Sequence, residues 1–336
     1  MRVMELSGDW GLEHIRPGTR PDPVPGPGEV VVAMAAASVN YRDGVVLRRG
    51  YGRLSGTLPL IVLSDGAGRV EAVGPGVRRV AMGDLVCPII MPGWHGGPLR
   101  PEHREALLGG PRDGVMRELM AVNEEDVVKA PSFYTPEEAA TLPCAAVTAW
   151  SAIVGAGVKP GDVVVLEGTG GVALFALQFA RLLGAVTIIA SGSAEKLARA
   201  RSMGAHYGID YRAQPEWSRE VRRITPSGAD LVIDVGGTAT LGQALRSVRT
   251  GGTIALIGVL SGALAELDLG RVVTQSVRLL GVTLGGRDAF EDMVRAIELH
   301  RLRPAIDDRR YGFTEAAAAV AAIEQGRHFG KICIAF

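Results

Sequence analysis

Cysteine is scarce in this chain, which has three among 336 residues: Cys87, Cys144 and Cys333. They lie far apart, no pair has the spacing of a metal or redox motif, and three is a poor number for a disulfide framework. We therefore expect reduced thiols and a cytoplasmic protein.

An excess of one charge is also missing, because 36 Lys and Arg balance 36 Asp and Glu. Proteins that bind nucleic acids or anionic membranes usually carry a basic excess, so neither partner is expected. The longest apolar runs, such as residues 172–180, are shorter than the ~20 residues of a membrane span. The N-terminus lacks the apolar stretch of a signal peptide, so none is expected. The expected partner is a small-molecule substrate.

Several catalytic motifs are absent. The sequence has no Tyr-x-x-x-Lys pair, on which short-chain reductases rely for proton transfer, and no Gly-x-Ser-x-Gly elbow. It has no Cys/His cluster with zinc spacing, so no metal site is expected. His95 and His103 lie in a glycine-rich stretch, where a solvated loop is favoured over a metal site.

Glycine and apolar residues are abundant, with 45 glycines and a hydrophobic share of 47%. This composition supports a sizeable core, and the length suggests about two domains. Residues 1–125 contain short predicted strands, among them 29–36, 68–73 and 84–90, with the turn signals of a small barrel. Residues 91–114 hold four prolines and six glycines and predict a long irregular lobe.

Capping signals predict several helix starts. Thr135 is the predicted N-cap of a helix, in a capping box with Glu138. Asp288 is the predicted N-cap of a second helix, and Thr314 that of a third over residues 315–325.

From residue 162, apolar runs alternate with helical segments. The predicted strands cover residues 163–166, 187–190, 231–235, 253–258 and 279–284. Buried strands that alternate with helices are typical of a parallel, doubly wound α/β sheet.

A glycine-rich segment follows the first of these strands. Residues 168–173, GTGGVA, fit the dinucleotide fingerprint G-x-G-x-x-[G/A] in the strand-to-helix context that it requires. Gly168 would allow the tight turn, and Gly170 would let the backbone approach a pyrophosphate at the helix N-terminus. A tight turn without a ligand is the alternative. The candidate cofactor residues here are Gly168, Thr169, Gly170, Gly171 and Val172.

The end of the second strand predicts the choice of cofactor. An acid at this point would hold the ribose 2′-OH of NAD, but this chain has Ser191, Ser193 and Lys196. Hydroxyls and a lysine suit a 2′-phosphate, so NADP(H) is the predicted cofactor. In the alternative interpretation, Ser193 is only an N-cap and Lys196 is only a solvated helix residue. Glu195 is a nearby acid that could approach the ribose, as the acid of an NAD site does.

Short motifs occur along the whole chain. They are PGEV at 27–30, SVNYRD at 38–43, DGAGRV at 65–70, MGDLV at 82–86, TAW at 148–150, KPGD at 159–162, the Gly168 segment, LLGV at 279–282 and FGK at 329–331. With these motifs the chain resembles the medium-chain dehydrogenase/reductase superfamily, in its zinc-free quinone-oxidoreductase-like or zinc-type alcohol dehydrogenase-like branch. The resemblance implies a GroES-like β-barrel catalytic domain from residues 1–148 and 283–336. A Rossmann NAD(P)-binding domain would cover residues 149–282.

The sequence departs from the zinc enzymes of that family at the metal ligands. Zinc alcohol dehydrogenases have a cysteine where this chain has Asn40, and Gly-His-Glu where it has Leu63, Ser64 and Asp65. The lobe at 91–114 lacks the four cysteines of their structural zinc site. The resemblance therefore implies a zinc-independent enzyme.

The resemblance also assigns roles to single residues. Asn40 would lie by the nicotinamide ribose, and Thr148 would pack against the nicotinamide face. Tyr211 would lie beside the adenosine 2′-phosphate and Lys331 near the cofactor phosphates. Val259 follows the strand whose backbone would meet the nicotinamide carboxamide. Each of four residues has an alternative role. Asn40 could cap a loop, and Thr148 could bond to its own backbone. Tyr211 could be an ordinary aromatic at a strand end, and Lys331 could be solvated.

Two tyrosines are the catalytic candidates. Tyr41 and Tyr51 stand where relatives place aromatics of the substrate cleft, and Tyr51 also matches a proton-donating tyrosine of enoyl thioester reductases. A packing role is the alternative for both.

The predicted function is an NADPH-dependent reductase that transfers hydride to a quinone or an α,β-unsaturated carbonyl without zinc. The alternatives are a zinc-free alcohol dehydrogenase, an enoyl thioester reductase and a non-catalytic NADPH-binding protein. Relatives pair their Rossmann sheets edge to edge, and the apolar segment 255–260 would leave an open edge on a monomer. A homodimer is therefore expected.

Overall fold

The structure is a computed structural model that describes all residues from Met1 to Phe336. It consists of two compact units, one of residues 1–147 and 285–336 and one of residues 148–284. The predicted domain boundaries fall after residues 148 and 282, and the units divide after Val147 and Leu284. None of the helices combines the length and apolarity that crossing a bilayer requires.

Strands and helices alternate irregularly in the first unit and regularly in the second. The strands are β1 (Arg2–Leu6), β2 (Ile15–Thr19), β3 (Glu29–Val39), β4 (Leu60–Ile61), β5 (Asp65–Val73), β6 (Leu85–Pro88), β7 (Leu119–Asn123), β8 (Val127–Lys129), β9 (Val163–Glu167), β10 (Val186–Ser191), β11 (Tyr207–Asp210), β12 (Ala229–Asp234), β13 (Val248–Leu256), β14 (Arg278–Gly281), β15 (Ile306–Gly312) and β16 (Lys331–Ala335). The helices are α1 (Tyr41–Leu47), α2 (Pro101–Glu105), α3 (Pro136–Ala140), α4 (Val147–Ala156), α5 (Gly171–Leu182), α6 (Ala194–Ser202), α7 (Trp217–Ile224), α8 (Leu241–Ser247), α9 (Leu269–Thr274), α10 (Arg287–His300) and α11 (Ala316–Glu324).

In the first unit, β3 is the strand around which the larger sheet is built. That sheet has the order β15-β16-β3-β5-β6-β8, and β7 also pairs with β3. Apolar side chains of β3 such as Val30 and Val32 are fully buried in one core with Ile332 and Ile334 of β16. Residues Ser38 and Asp65 are paired in register on β3 and β5, and Val39 pairs with the second residue of β16. This register brings the end of β3 together with the starts of β5 and β16.

The second unit contains a six-stranded parallel sheet of order β11-β10-β9-β12-β13-β14. The chain builds outward from β9 to β11, and then returns to β12 on the other side of β9. This reversal makes the β9–β12 pair a topological switch point, where ligands of open α/β sheets bind at the strand ends. The sheet agrees with the predicted doubly wound arrangement.

The N-cap predicted at Thr135 is confirmed, because its side chain accepts a hydrogen bond from the Glu138 backbone. The helix that it begins is not continuous. A π-helical segment over Leu142–Ala146 separates α3 from α4. Such π segments frequently occur at functional sites.

The N-cap predicted at Asp288 is wrong. Gly286 precedes α10, and no side chain caps this helix. Instead, the Arg287 and Asp288 amides donate to the carbonyls of Trp94 and His95 at 2.9 and 3.1 Å. A tertiary contact with the 91–114 lobe therefore replaces the local cap that the sequence suggests.

The N-cap predicted at Thr314 is also wrong. Thr314 lies inside a 3-10 turn over Phe313–Glu315, and Glu315 directly precedes α11. The glycine expected after this helix, Gly326, does adopt a left-handed conformation with φ of 65°.

The open edge of the parallel sheet is not where the sequence predicts it. The segment 255–260 begins in β13, which pairs on one side with β12 and on the other with β14. The two edge strands are β11 and β14, and β14 is added beyond β13 by the short LLG segment after residue 278.

Candidate functional site

The loop between β9 and α5 has the geometry of a phosphate-binding turn. Gly168 has φ of 78°, and a Cβ atom added there would meet no atom within 4 Å, so this glycine is required by its backbone conformation. Gly170 precedes the twelve-residue helix α5, and no side chain caps it. The first N–H groups of α5 are therefore left for a ligand, as in nucleotide-binding helices. Thr169 is buried, and Gly171 and Val172 form the half-buried first turn.

The end of β10 brings four of the predicted cofactor residues together. Ser191 is buried, and its carbonyl accepts a hydrogen bond from the Tyr211 amide at 3.3 Å. Ser193 caps α6, since its Oγ accepts from the Lys196 amide at 3.3 Å. The alternative role of Ser193 as an N-cap is thus present in the structure, although a cap hydroxyl can still contact a ligand.

Arg212 is a residue of this region that the sequence analysis missed. A Cβ atom added at Gly192 would lie 2.8 Å from Arg212 Nε and 2.8 Å from the ring of Tyr211. Both side chains therefore lie over the glycine that separates Ser191 from Ser193. The sequence feature that could have indicated Arg212 is its position next to Tyr211 directly after a strand, where a guanidinium can contact a phosphate.

Thr148 and Val259 lie in the same unit. Thr148 is buried, and its hydroxyl donates to the Thr283 carbonyl at 3.5 Å, so its partner is a carbonyl two residues after β14 and not its own backbone. Val259 is about half exposed, at 52%. The loop that carries it is held by hydrogen bonds between Leu260 and Val235 and between Ser261 and Gly236.

In the first unit, a buried lysine lies at the meeting point of β3, β5 and β16. Lys331 Nζ is 2.6 Å from Asn40 Oδ1, 3.0 Å from the Val39 carbonyl oxygen and 3.1 Å from Asp65 Oδ2. The Ser38 hydroxyl also donates to Asp65 Oδ2, at 3.1 Å. Lys331 is therefore not a solvated cation, and its predicted contact with cofactor phosphates stays a prediction.

Two buried polar atoms of this cluster have no partner in the protein. They are Asn40 Nδ2, a donor, and Asp65 Oδ1, an acceptor. Because buried polar atoms are nearly always hydrogen-bonded, both are candidate contacts for a bound molecule. Because Lys331 donates to Asn40 Oδ1, the Nδ2 end of the Asn40 amide is the one without a partner.

A second carboxyl group lies beside the cluster. Asp43 Oδ2 accepts from the Asn40 amide at 2.7 Å, and Asp43 Oδ1 lies 3.5 Å from the Ser64 hydroxyl. Burial raises the pKa of Asp43 to about 6, against the opposing charge of Arg42. Asp43 therefore gains and loses its proton at a pH closer to neutral than an ordinary aspartate does.

Zinc does not fit this set of residues. No group of three His, Cys, Asp or Glu side chains is arranged to hold a metal. The position next to Asn40 is taken by the Lys331 ammonium, which repels a cation. Cys144, on the π segment, is near this cluster, and burial together with the Asp65 charge raises its pKa to about 12.

The two candidate tyrosines are both partly exposed, Tyr41 at 39% and Tyr51 at 45%. Neither is a core packing residue, which leaves both available to a substrate. Partial burial of the Tyr51 ring raises the pKa of its phenol. A phenol is protonated at neutral pH in any case, so Tyr51 carries a proton at Oη, and the raised pKa makes it a weaker acid than an exposed tyrosine.

The two histidines of the 91–114 lobe are not simply solvated. His95 Nε2 lies 2.9 Å from Asp126 Oδ1, and the His103 ring stacks on Trp94 with ring centroids 5.8 Å apart. These contacts account for both side chains structurally.

Two protein-family descriptions match the chain. The alcohol dehydrogenase GroES-like domain matches residues 26–132, and the zinc-binding dehydrogenase family matches residues 171–298. These matches and the structural similarities below confirm the predicted GroES-like first domain and the parallel α/β second domain.

Similar proteins cover nearly the whole chain. A zinc-type alcohol dehydrogenase-like protein of Schizosaccharomyces pombe is 36% identical over 316 residues, which cover 92% of this chain and 91% of that protein. The crystal structure of an NAD-dependent alcohol dehydrogenase has a TM-score of 0.90 at 33% identity and covers 100% of both chains. A 2-octenoyl-CoA carboxylase reductase, solved with NADP and 2-octenoyl-CoA, has a TM-score of 0.86 at 26% identity. That match covers 96% of this chain and 82% of the reductase.

Proposed function

The chain belongs to the medium-chain dehydrogenase/reductase superfamily and is an oxidoreductase, and from that premise we propose its reaction. The protein uses NADPH to reduce a conjugated carbonyl acceptor, a quinone or an α,β-unsaturated carbonyl compound, without zinc. NADPH supplies the hydride when bound. The residues of the chain bind and orient the reactants and supply a proton.

The observation that carries this proposal is the buried Lys331 ammonium on Asn40 and Asp65. A zinc alcohol dehydrogenase stabilises an alkoxide with a Lewis acid, and this cluster offers a fixed cation and an amide in its place. Reduction of a conjugated acceptor spreads the negative charge over the acceptor and does not depend on a metal. Asn40 Nδ2 is the unpartnered donor that would hold an acceptor oxygen.

Tyr51 is the proposed proton donor. Its phenol is partly exposed and, like any tyrosine at neutral pH, carries a proton at Oη. After hydride reaches the acceptor, a proton from Tyr51 Oη completes the reduction. General acid catalysis of this kind contributes typically about 10²–10⁴-fold to a rate.

The residues at the end of β10 support NADPH as the cofactor. Ser191 stands at the strand end in place of an acid, and Arg212 and Tyr211 lie over the adjacent Gly192. A guanidinium, a phenol and hydroxyls together suit a 2′-phosphate. The uncapped N-terminus of α5 would hold the pyrophosphate.

An enoyl thioester is a second candidate acceptor. The reductase solved with 2-octenoyl-CoA covers most of this chain, and its substrate is an α,β-unsaturated carbonyl compound. A zinc-free alcohol dehydrogenase has comparable support, since the structure of an NAD-dependent alcohol dehydrogenase covers the whole chain. A non-catalytic NADPH-binding protein would show binding without turnover.

The test is a substrate panel that follows NADPH absorbance with the protein as purified and after chelation and dialysis. The panel contains a benzoquinone, an enone, an enoyl-CoA and, with NADP⁺, a series of alcohols. We expect turnover of at least one conjugated acceptor, an unchanged rate after chelation and far less than one zinc per chain. Stoichiometric zinc whose removal abolishes activity, or turnover of alcohols alone, would overturn the proposal.

A further inference from the structure

Two residues with buried carboxyl groups are neighbours on adjacent strands at the switch point of the parallel sheet. In the register of β9 with β12, Leu166 pairs with Ile233, so the next residues, Glu167 and Asp234, stand side by side. Glu167 is 6% exposed and Asp234 is fully buried. Glu167 Oε1 has no hydrogen-bond partner. Neither the phosphate turn nor the proposed proton transfer uses this pair.

The surroundings of the pair contain no compensating cation. The flanking residues in register are Ala190 on β10 and Leu256 on β13. The first turns of the helices that follow the two strands, residues 171–174 and 241–244, carry no charged side chain. Asp234 is the charged group that acts on Glu167, and burial and this charge raise the pKa of Glu167 to about 8. Two carboxyl groups in such a site share one proton near neutral pH.

The pair also organises the loop that follows β12. Asp234 Oδ1 accepts from the Gly237 amide at 2.9 Å, and both Asp234 oxygens lie near the Thr240 hydroxyl, at 3.1 and 3.0 Å. Glu167 Oε2 accepts from the Val235 amide at 3.3 Å. The two carboxyl groups thus hold both ends of the 235–240 loop.

This loop in turn holds the segment that carries Val259. The Leu260 amide donates to the Val235 carbonyl and the Ser261 amide to the Gly236 carbonyl, at 3.3 and 2.8 Å. The Ser261 hydroxyl accepts from the Ala239 amide at 2.8 Å. A continuous set of hydrogen bonds therefore runs from Glu167 to the backbone expected to meet the nicotinamide carboxamide.

We propose that Glu167 and Asp234 are a proton-sharing positioning pair that sets the 258–262 backbone for the nicotinamide end of the cofactor. This inference rests on the proposed use of NADPH. With one shared proton, the pair is compatible with the bonds of the 235–240 loop. Loss of that proton places two buried anions side by side, and their repulsion disrupts the loop and the segment bonded to it.

The test compares wild type with Glu167→Gln, which keeps the shape and polarity of the side chain but cannot ionise. NADPH dissociation constants are titrated between pH 7 and pH 9, where the 2′-phosphate of the cofactor, with a pKa near 6, is already ionised. We expect the wild-type constant to rise by up to about tenfold, and the Glu167→Gln constant to change little. Glu216→Gln, at an exposed carboxylate of the same unit paired with Arg219, is the matched control and should follow wild type.

A second measurement separates this inference from the proposed cofactor. The melting temperature of the cofactor-free protein should fall from pH 7 to pH 9 in wild type, and less in Glu167→Gln. If NADPH binds at no pH, the proposed function fails, and this melting difference still decides whether the pair shares a proton. Asp234→Asn provides a second variant if Glu167→Gln does not fold, with the same flattened pH dependence expected. If the pH dependence of NADPH binding and that of the melting temperature are each the same in wild type and in the variants, the proposed proton-sharing pair is overturned.

Discussion

The Lys331 ammonium lies 3.1 Å from the Asp65 carboxylate, and both side chains are almost wholly shielded from water. A buried pair of this kind is weak evidence for stability as such, because desolvation offsets much of the attraction. The two residues are distant in the chain, and the Lys331 ammonium lies between Asp65 Oδ2 and Asn40 Oδ1. The pair therefore couples the shape of the site to the stability of the first unit.

Lys331→Met should destabilise the protein by about 3–5 kcal/mol, because it leaves the Asp65 carboxylate buried without a cation. The measurement is the free energy of unfolding by denaturant. Lys129→Met is the matched control, since Lys129 pairs with Asp84 at 2.8 Å on the surface, where a pair is worth at most about 1 kcal/mol. The double variant Lys331→Met/Asp65→Asn should recover part of the loss. An equal effect of the two lysine substitutions would contradict the buried-pair argument.

Cofactor preference should depend on the cations next to Ser191. Arg212→Ala and Lys196→Ala should each weaken NADPH about ten- to a hundredfold and leave NADH almost unchanged, since NADH has no 2′-phosphate. Ser191→Asp should repel NADPH and supply an acceptor to the NADH ribose. The measurement is titration of both cofactors against each variant. Arg219→Ala, an exposed arginine on α7, serves as the control. A wild type that prefers NADH would contradict the assignment and make Glu195 the residue to examine.

A homodimer should form through the β14 edge of the parallel sheet. The edge strand and the preceding helix expose apolar side chains, with Leu269, Val273 and Leu279 at 67%, 75% and 38%, and an open edge is a template for pairing. Light scattering should give about 70 kDa, twice the 35.3 kDa of one chain. Leu279→Lys should shift the mass toward the monomer, and Leu299→Lys, on α10 of the other unit, should not. A wild-type mass of one chain would exclude the dimer.

The contribution of Asp43 to stability should fall as the pH rises from about 4 to about 6. The pKa of Asp43 is raised to about 6, so the native state holds a proton that the unfolded chain releases near its ordinary pKa of about 3.9. Below the unfolded value both states are protonated, and the contribution is lost as the pH passes the folded value, by up to about 3 kcal/mol in all. Asp43→Asn should remove this part of the dependence. Unfolding free energies at several pH values measure it, and parallel curves for wild type and variant would refute it.

Features that depend on neighbouring residues could be predicted from the sequence. The capping box at Thr135, the turn at Gly168 and the alternation of strands and helices after residue 162 all arise from short-range preferences. They indicate the parallel α/β second domain and the place of the phosphate turn. The N-caps predicted at Asp288 and Thr314 are wrong, because short-range preferences do not include tertiary contacts. Backbone contacts with the 91–114 lobe replace the cap at Asp288, and a 3-10 turn contains Thr314.

The sequence by itself thus determined the two kinds of domain and one end of the cofactor site. Only the tertiary structure decided the rest, because strand order and register place residues that are distant in the chain next to one another. Register brings Asn40, Asp65 and Lys331 to one point and puts Glu167 beside Asp234. The same pairing makes β14, and not the more apolar β13, an open edge of the sheet. No local pattern encodes these pairings, since each depends on the burial of apolar faces across the whole sheet.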